Sequence, residues 1–231
     1  MAQPFSLTVD GIESQFGVNH LGCVSFALYL RAIVDTLFES HFLWSNLLLP
    51  KLKTSSNPTI VNVSSSGHRF LLGNYDNYNW ENVPYSIWNA YGQGKGANVL
   101  FTTALANRGI RSVALHPGCE QSFCVAEDCC SYVTVCEGVL GTQLGSHIPA
   151  SEWAVLDKMI ADTPSFEYMP YHKHISEGSS TVLVAALDQK LPNGSYLHDC
   201  QKIQPDPRAV DPELAEKLWA LSNKLTGESF A

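Results

Sequence analysis

Positive charge is scarce in this 231-residue chain: 14 Lys and Arg stand against 22 Asp and Glu, giving a net charge of -8 and a pI near 5.4. Neutralising a phosphate backbone takes a surplus of Lys and Arg, so the balance argues against a nucleic-acid partner. Long apolar runs are missing too. The longest, residues 24–37, is broken by Arg31 and Asp35 and falls short of the roughly 20 residues that cross a bilayer, so no transmembrane segment is expected. The opening, Met1-Ala2-Gln3-Pro4-Phe5, has no basic stretch leading into an apolar one and does not read as a secretory leader. A soluble cytoplasmic protein is the resulting expectation. Seven cysteines are present but no Cys-x-x-Cys pair, and the five between Cys119 and Cys136 are followed by no histidine at finger spacing. Neither a structural zinc site nor a disulfide framework is therefore expected. A glycine-rich turn of the kind that seats a pyrophosphate on a helix N-terminus is also missing.

What is present reads as alternating strand and helix. The apolar content of 45% is ordinary for a globular chain, and the length suffices for one core. Asp10 and Glu13 have the spacing of a capping box at a helix start. Phe16 and Leu21, with Phe42, Leu43, Leu47 and Leu48, suit one long packed helix ending at Pro50-Lys51-Leu52 once residues 23–40 are set aside. Residues 59–63 are a β-branched run typical of a buried parallel strand. Its polar end, Ser64-Ser65-Ser66-Gly67, falls where open α/β sheets place their chemistry.

Residues 73–86 read as a loop, 87–107 as a helix closed by Arg108-Gly109, and 110–115 as a strand ending in His116-Pro117-Gly118. That succession predicts a parallel α/β sheet. Further helices are expected at 153–160 and 177–187, and a short strand at 195–197 after the turn Pro192-Asn193-Gly194. A last helix has Asp211 as cap, Pro212 in its first turn and an apolar stripe of Leu214, Leu218, Leu221 and Leu225.

Tyr91 and Lys95 stand four residues apart, one turn along the same helix face. An ammonium there favours phenolate and draws the tyrosine down from its reference pKa of roughly 10. Such a phenol can give a proton to a carbonyl oxygen or take one from an alcohol. Alone, the spacing is common on surface helices.

The wider pattern is more specific. Thr8-x-Asp10-Gly11-x-Glu13-x-Gln15-Phe16-x-Val18-Asn19-His20-Leu21-Gly22, Ile60-Val61-Asn62-Val63-Ser64-Ser65, Tyr91-x-x-x-Lys95 and His116-Pro117-Gly118 resemble, in order, the motifs of the short-chain dehydrogenase/reductase family, most closely its retinol-dehydrogenase-like branch. The resemblance implies an α/β fold, a truncated Rossmann-like parallel sheet with flanking helices. It also implies an NAD(P)-dependent oxidoreductase that interconverts a ketone or aldehyde and an alcohol by hydride transfer, in lipid or secondary metabolism.

By the same resemblance Tyr91 is the catalytic acid/base, Lys95 binds the nicotinamide ribose and tunes Tyr91, and Ser65 bonds the substrate oxygen. Asn19 would hold a water between Lys95 and a proton relay. Asn19, Tyr91, Lys95, Pro117, Gly118 and Thr142 would line the coenzyme, NADP or NAD, and His116 would be structural. Residues 143–175, with Trp153, Phe166, Tyr168 and Tyr171, correspond to the segment that covers a small carbonyl or alcohol substrate, or else pack as core and lid. Ser65 as a plain strand-end serine and Asn19 as a helix-interior polar residue are the bland alternatives.

Several departures qualify the resemblance. The family usually has serine where Gly94 stands, and with Gly92 and Gly96 nearby the catalytic turn is expected to be loose. The family's glycine-rich turn, its coenzyme-selecting residue and its Asn-Asn-Ala-Gly stretch have no counterparts, because Met1-Ala2 aligns just beyond the fourth strand. Residues 23–40 and about 119–138 are atypical inserted segments in a single incomplete domain spanning 1–231, read as intron-like additions or, alternatively, as real insertions, an amphipathic helix and a Cys-rich flap over the site. The alternative to an active enzyme is therefore a catalytically inactive family fragment or a binding or dimerising module. The strand at 59–63 would lose its inner neighbour, leaving an edge open to a homodimer partner.

Overall fold

Alternating apolar residues on short β-branched strands build the centre of the molecule, and a computed structural model describes residues 1–21, 41–70, 73, 75–118, 145–163, 166 and 177–230. The inserted segments 23–40 and 119–138, together with Thr142, Tyr168 and Tyr171, lie outside the described residues. Four strands, β1 (Ile60–Val63), β2 (Ser112–His116), β3 (Ser195–His198) and β4 (Gln201–Ile203), form one sheet in that order. The first three run parallel, with Asn62 opposite Ala114 and Ala114 opposite Tyr196, and β4 returns antiparallel to β3. This is the expected reduced Rossmann-like sheet, with β1 at one edge among the described strands.

The period of two along each strand sorts the two faces. Ile60, Ala114 and Tyr196 face one core, shared with Phe16, Phe42, Leu100, Phe101, Leu105, Leu218 and Trp219. Val113, Leu115 and Leu197 face the other way, against Ala185, Val182 and Val184. Helices thus cover both sides of β2, whose five residues are all buried, as a central parallel strand requires.

The helices, in chain order, are α1 (Ser14–Phe16), α2 (His41–Leu52), α3 (Ile87–Asn107), α4 (Ala150–Ala161), α5 (Ser180–Leu187) and α6 (Pro212–Thr226). Asp211 caps α6 by accepting from the Glu213 and Leu214 N–H groups, and Gly227, at φ +68°, closes it. At the other end of the chain the expected Asp10–Glu13 capping box does not form. Glu13 itself caps α1, its carboxylate accepting from Gln15 and Phe16 N–H, while its own N–H is taken by Asn79 Oδ1. α1 then widens into a π-helical turn, Gly17–Leu21.

α2 ends at Leu52, within the expected Pro50-Lys51-Leu52 close, and Pro50 lies inside its last turn. Leu48, expected in the packed stripe, is 47% exposed, and Leu49 and Leu52 take up the core contact. The strand β4 has no clear signal in the sequence: its turn places Asp199 and Cys200 at φ +47° and +60°, the left-handed values of a two-residue hairpin that sequence reading expects from glycine or asparagine.

Candidate active site

Directly after β1 comes Ser64, whose hydroxyl donates to the Lys95 carbonyl at 2.8 Å and ties the strand end to the middle of α3. Ser65, 2% exposed, accepts the Gly67 N–H on its Oγ at 2.9 Å. This is the strand-end bond of the bland reading. A β-carbon built on Gly67 would stand 3.0 Å from Tyr91 Cε1 and 3.2 Å from Ser65 Oγ. The ring of Tyr91 and the hydroxyl of Ser65 therefore converge on one point, reachable because residue 67 has no side chain. Gly67 closes the polar strand end Ser64-Ser65-Ser66-Gly67, where the sequence places the chemistry, but its close approach to Tyr91 has no signal in the sequence.

Tyr91 is 5% exposed, and Lys95 Nζ lies 5.9 Å from the centroid of its ring. Lys95 also donates to the Val63 carbonyl at 3.4 Å. The turn between them is not loose. α3 runs without a break from Ile87 to Asn107, and two of its glycines are close-approach positions. A β-carbon on Gly92 would sit 2.7 Å from the Gly67 carbonyl oxygen and 2.8 Å from Phe70 Cβ, and one on Gly94 would sit 2.9 Å from the Gln15 carbonyl oxygen. The missing side chains let the backbone of α3 press against the turn Ser66–Phe70 on one side and against α1 on the other.

Asn19 packs beside Gly94, its β-carbon 3.3 Å from where a Gly94 β-carbon would be. Its side-chain amide donates back to the Gln15 carbonyl at 2.8 Å, and its own carbonyl faces His41 Nδ1 at 3.0 Å. His116 is buried at the end of β2 and stacks on His198, ring centroids 5.2 Å apart. Pro117 and Gly118 follow it, Gly118 at φ +107°.

Two further histidines without a sequence-assigned role sit behind this site, His20 buried and His41 half-buried. His41 is held down to about pKa 4, first by burial and then by the nearby charge of Lys95, with its bond to the Asn19 carbonyl opposing. His20 is held down to about 3 by burial and by His41, with Asn98 opposing. His20 Nε2 meets Ser222 Oγ at 2.9 Å and joins the π-turn to α6.

Apolar side chains wall the start of α3. Trp88 donates its indole N–H to the Glu152 carbonyl and lies 5.4 Å from the ring of Trp153. Phe166 stacks on Phe70 at 5.5 Å. Trp153 and Phe166 thus pack into a cluster with Ala2, Phe70, Trp88, Ile148 and Leu156. Among the described residues no group of His, Cys, Asp and Glu is placed to hold a metal, and no helix is long and apolar enough to cross a membrane. The Cys119–Cys136 group lies outside the described residues.

No family model matches the chain. Comparison with curated proteins is decisive. It is 33% identical to Retinol dehydrogenase 13 of Homo sapiens, an alignment covering 98% of this chain and 58% of that protein. It is also 33% identical to Short-chain dehydrogenase TIC 32 A, chloroplastic, of Brassica napus, covering 96% and 59% respectively. This chain is related to the short-chain dehydrogenase/reductase family, in its retinol-dehydrogenase-like branch. It spans little more than half the length of these relatives. A crystal structure of an uncharacterized protein from Mycobacterium Paratuberculosis matches the fold with TM-score 0.57 and 30% identity, over 100% of this chain and 65% of that one.

The family's nicotinamide coenzyme fits the described residues only in part. Lys95 beside Tyr91, and the positive-φ backbone of Gly118 at the end of β2, suit the nicotinamide-ribose end. A dinucleotide also needs backbone N–H groups from a glycine-rich turn opening a helix. The 231 residues contain no such turn.

Proposed function

We propose that these 231 residues keep the proton-handling part of a short-chain dehydrogenase/reductase site and, on their own, act as a catalytically silent binding or pairing module. The observation that carries the reading is a contrast: Tyr91, Ser65 and Lys95 are assembled, while the chain has no glycine-rich turn to seat a pyrophosphate. In a site supplied with NADPH or NADH, the coenzyme would bring the hydride. Tyr91 would pass its proton to the carbonyl oxygen or accept one from the alcohol, and Ser65 would hold the same oxygen by its hydroxyl. Lys95 would favour the phenolate as the proton leaves. The proposed surface for pairing with a second copy is the β1 edge at Val61, since His41, Asn98 and Lys95 take up the N–H and carbonyl of Val63. A cytoplasmic setting and a small carbonyl or alcohol as ligand belong to the same proposal.

A second reading, a working NAD(P)-dependent oxidoreductase, is favoured by the convergence of Tyr91 and Ser65 around Gly67. Titration of the purified chain with NADPH and NADH, followed by nicotinamide fluorescence, separates the two. A folded chain with no saturable binding is expected. Saturable binding by both the natural chain and Tyr91→Phe, with carbonyl reduction lost only in Tyr91→Phe, would establish the second reading in its place.

A further inference from the structure

We infer that His41 is a positioning residue whose imidazole locks the turn of Asn19, the outer edge of β1 and the Lys95 side of α3 into one frame. In β1 the N–H groups of Ile60 and Ser64 reach across to the carbonyls of Arg111 and Leu115 in and beside β2. By the alternation of a strand, Val63 presents its N–H and carbonyl to the opposite edge. There the Val63 N–H points at His41 Nε2, 3.2 Å away. The Val63 carbonyl accepts from Asn98 Nδ2 at 3.1 Å and from Lys95 Nζ at 3.4 Å.

The direction of the Val63 bond decides the tautomer. A backbone N–H can only donate, so Nε2 is the bare, accepting nitrogen and the ring proton sits on Nδ1. Nδ1–H then donates to the Asn19 carbonyl at 3.0 Å, and the Asn98 amide nitrogen, 3.4 Å from the same Nδ1, gives its proton to the nearer Val63 carbonyl at 3.1 Å. A doubly protonated ring would lose the acceptor, and burial together with Lys95 keeps the ring neutral. With both nitrogens engaged, His41 relays no proton; it acts through the atoms it holds. The Val63 carbonyl is one anchor of Lys95, and the Lys95 ammonium lies 5.9 Å from the Tyr91 ring centroid. A shift of Val63 therefore moves Lys95 against Tyr91, in a kind of site where displacements of about 1 Å change rates strongly. That last consequence rests on the proposed role of Lys95, whereas the clamp itself does not.

The test is NMR of the full chain labelled with 15N-histidine. The natural protein is expected to show His41 with a protonated Nδ1 and a bare Nε2 at pH 7. His41→Phe keeps a ring but loses both nitrogens, and should raise hydrogen exchange at the Val63 amide by about tenfold or more. His41→Gln, which retains a donor and an acceptor, should recover part of that protection. Where coenzyme binds the natural chain, His41→Phe should weaken it by about tenfold while the core truncation Leu43→Ala does not. A protonated Nε2 in the natural protein, or unchanged Val63 protection in folded His41→Phe, overturns the clamp. The tautomer and the Val63 exchange decide the clamp where no coenzyme binds, and the tautomer alone decides it if His41→Phe does not fold.

Discussion

The carbonyl oxygen of Gly67 stands 2.7 Å from the point a β-carbon on Gly92 would occupy. Backbone meets backbone here, one residue from Tyr91, and neither partner can yield as a flexible side chain would. Gly92→Ala should therefore destabilise the protein by about 1–3 kcal/mol in urea unfolding. A neutral or stabilising result, as helix propensity alone predicts, would show that the contact relaxes freely.

Gly94→Ser puts back the residue most common in the family at this position, yet it should not stabilise the chain. The new β-carbon would meet the Gln15 carbonyl oxygen at 2.9 Å, and a backbone oxygen does not move aside cheaply. The expected loss is about 1–2 kcal/mol, against a helix-propensity gain of less than about 1 kcal/mol. A raised melting temperature for Gly94→Ser would contradict the close packing of α1 on α3.

Stability should fall as pH drops below the ordinary histidine range. In the native chain His20 titrates at about 3 and His41 at about 4, both held down chiefly by burial. Unfolded, each takes up a proton near 6.5, so below that pH the unfolded state binds protons the native state refuses. Their stabilising contribution is complete above about pH 6.5 and is lost as pH falls toward the native values, at ~1.4 kcal/mol per unit for each residue. Urea midpoints at pH 7 and pH 5 measure this, and a flat profile would rule out neutral burial of the pair.

Arg108 joins the end of α3 to α6 in two ways. Its guanidinium lies 3.8 Å from the Trp219 ring centroid and makes forked bonds of 2.7 and 2.8 Å to the Glu216 carboxylate. Glu216 is half exposed, so Glu216→Gln should cost only about 0–1 kcal/mol. Arg108→Ala also loses the stacked stem and plane, and should cost about 1–2 kcal/mol. The reverse order in thermal unfolding would mean that charge, not stacking, holds the two helices.

Much of the site was legible in sequence because its residues sit at element ends with strong punctuation. Ser64 and Ser65 close a β-branched run, Tyr91 and Lys95 share a helix face, and Asp211-Pro212 opens the last helix. The approach of Gly67 to Tyr91 and the place of His41 in the site were not legible, since neither spacing nor composition reveals which atoms from distant segments will meet. The glycines of α3 were misread for the same reason: propensity reports the helix's own cost and is blind to the chain packed against it. β4 was missed because Asp199 and Cys200 carry no turn signal for the left-handed conformations they adopt.

By itself, the sequence determined the family relationship, the parallel strand–helix–strand order, and the identity of Tyr91, Lys95 and Ser65 as candidates, because local periodicity and motif spacing encode each of them. Tertiary structure alone decided that Tyr91 and Ser65 converge over a glycine, that Gly92 and Gly94 are contacts and not weaknesses, and that a neutral His41 bridges the Asn19 carbonyl to Val63. Those relationships join residues about 20 or more positions apart, and only the packing of β1, α1, α2 and α3 on one another brings their atoms within bonding distance.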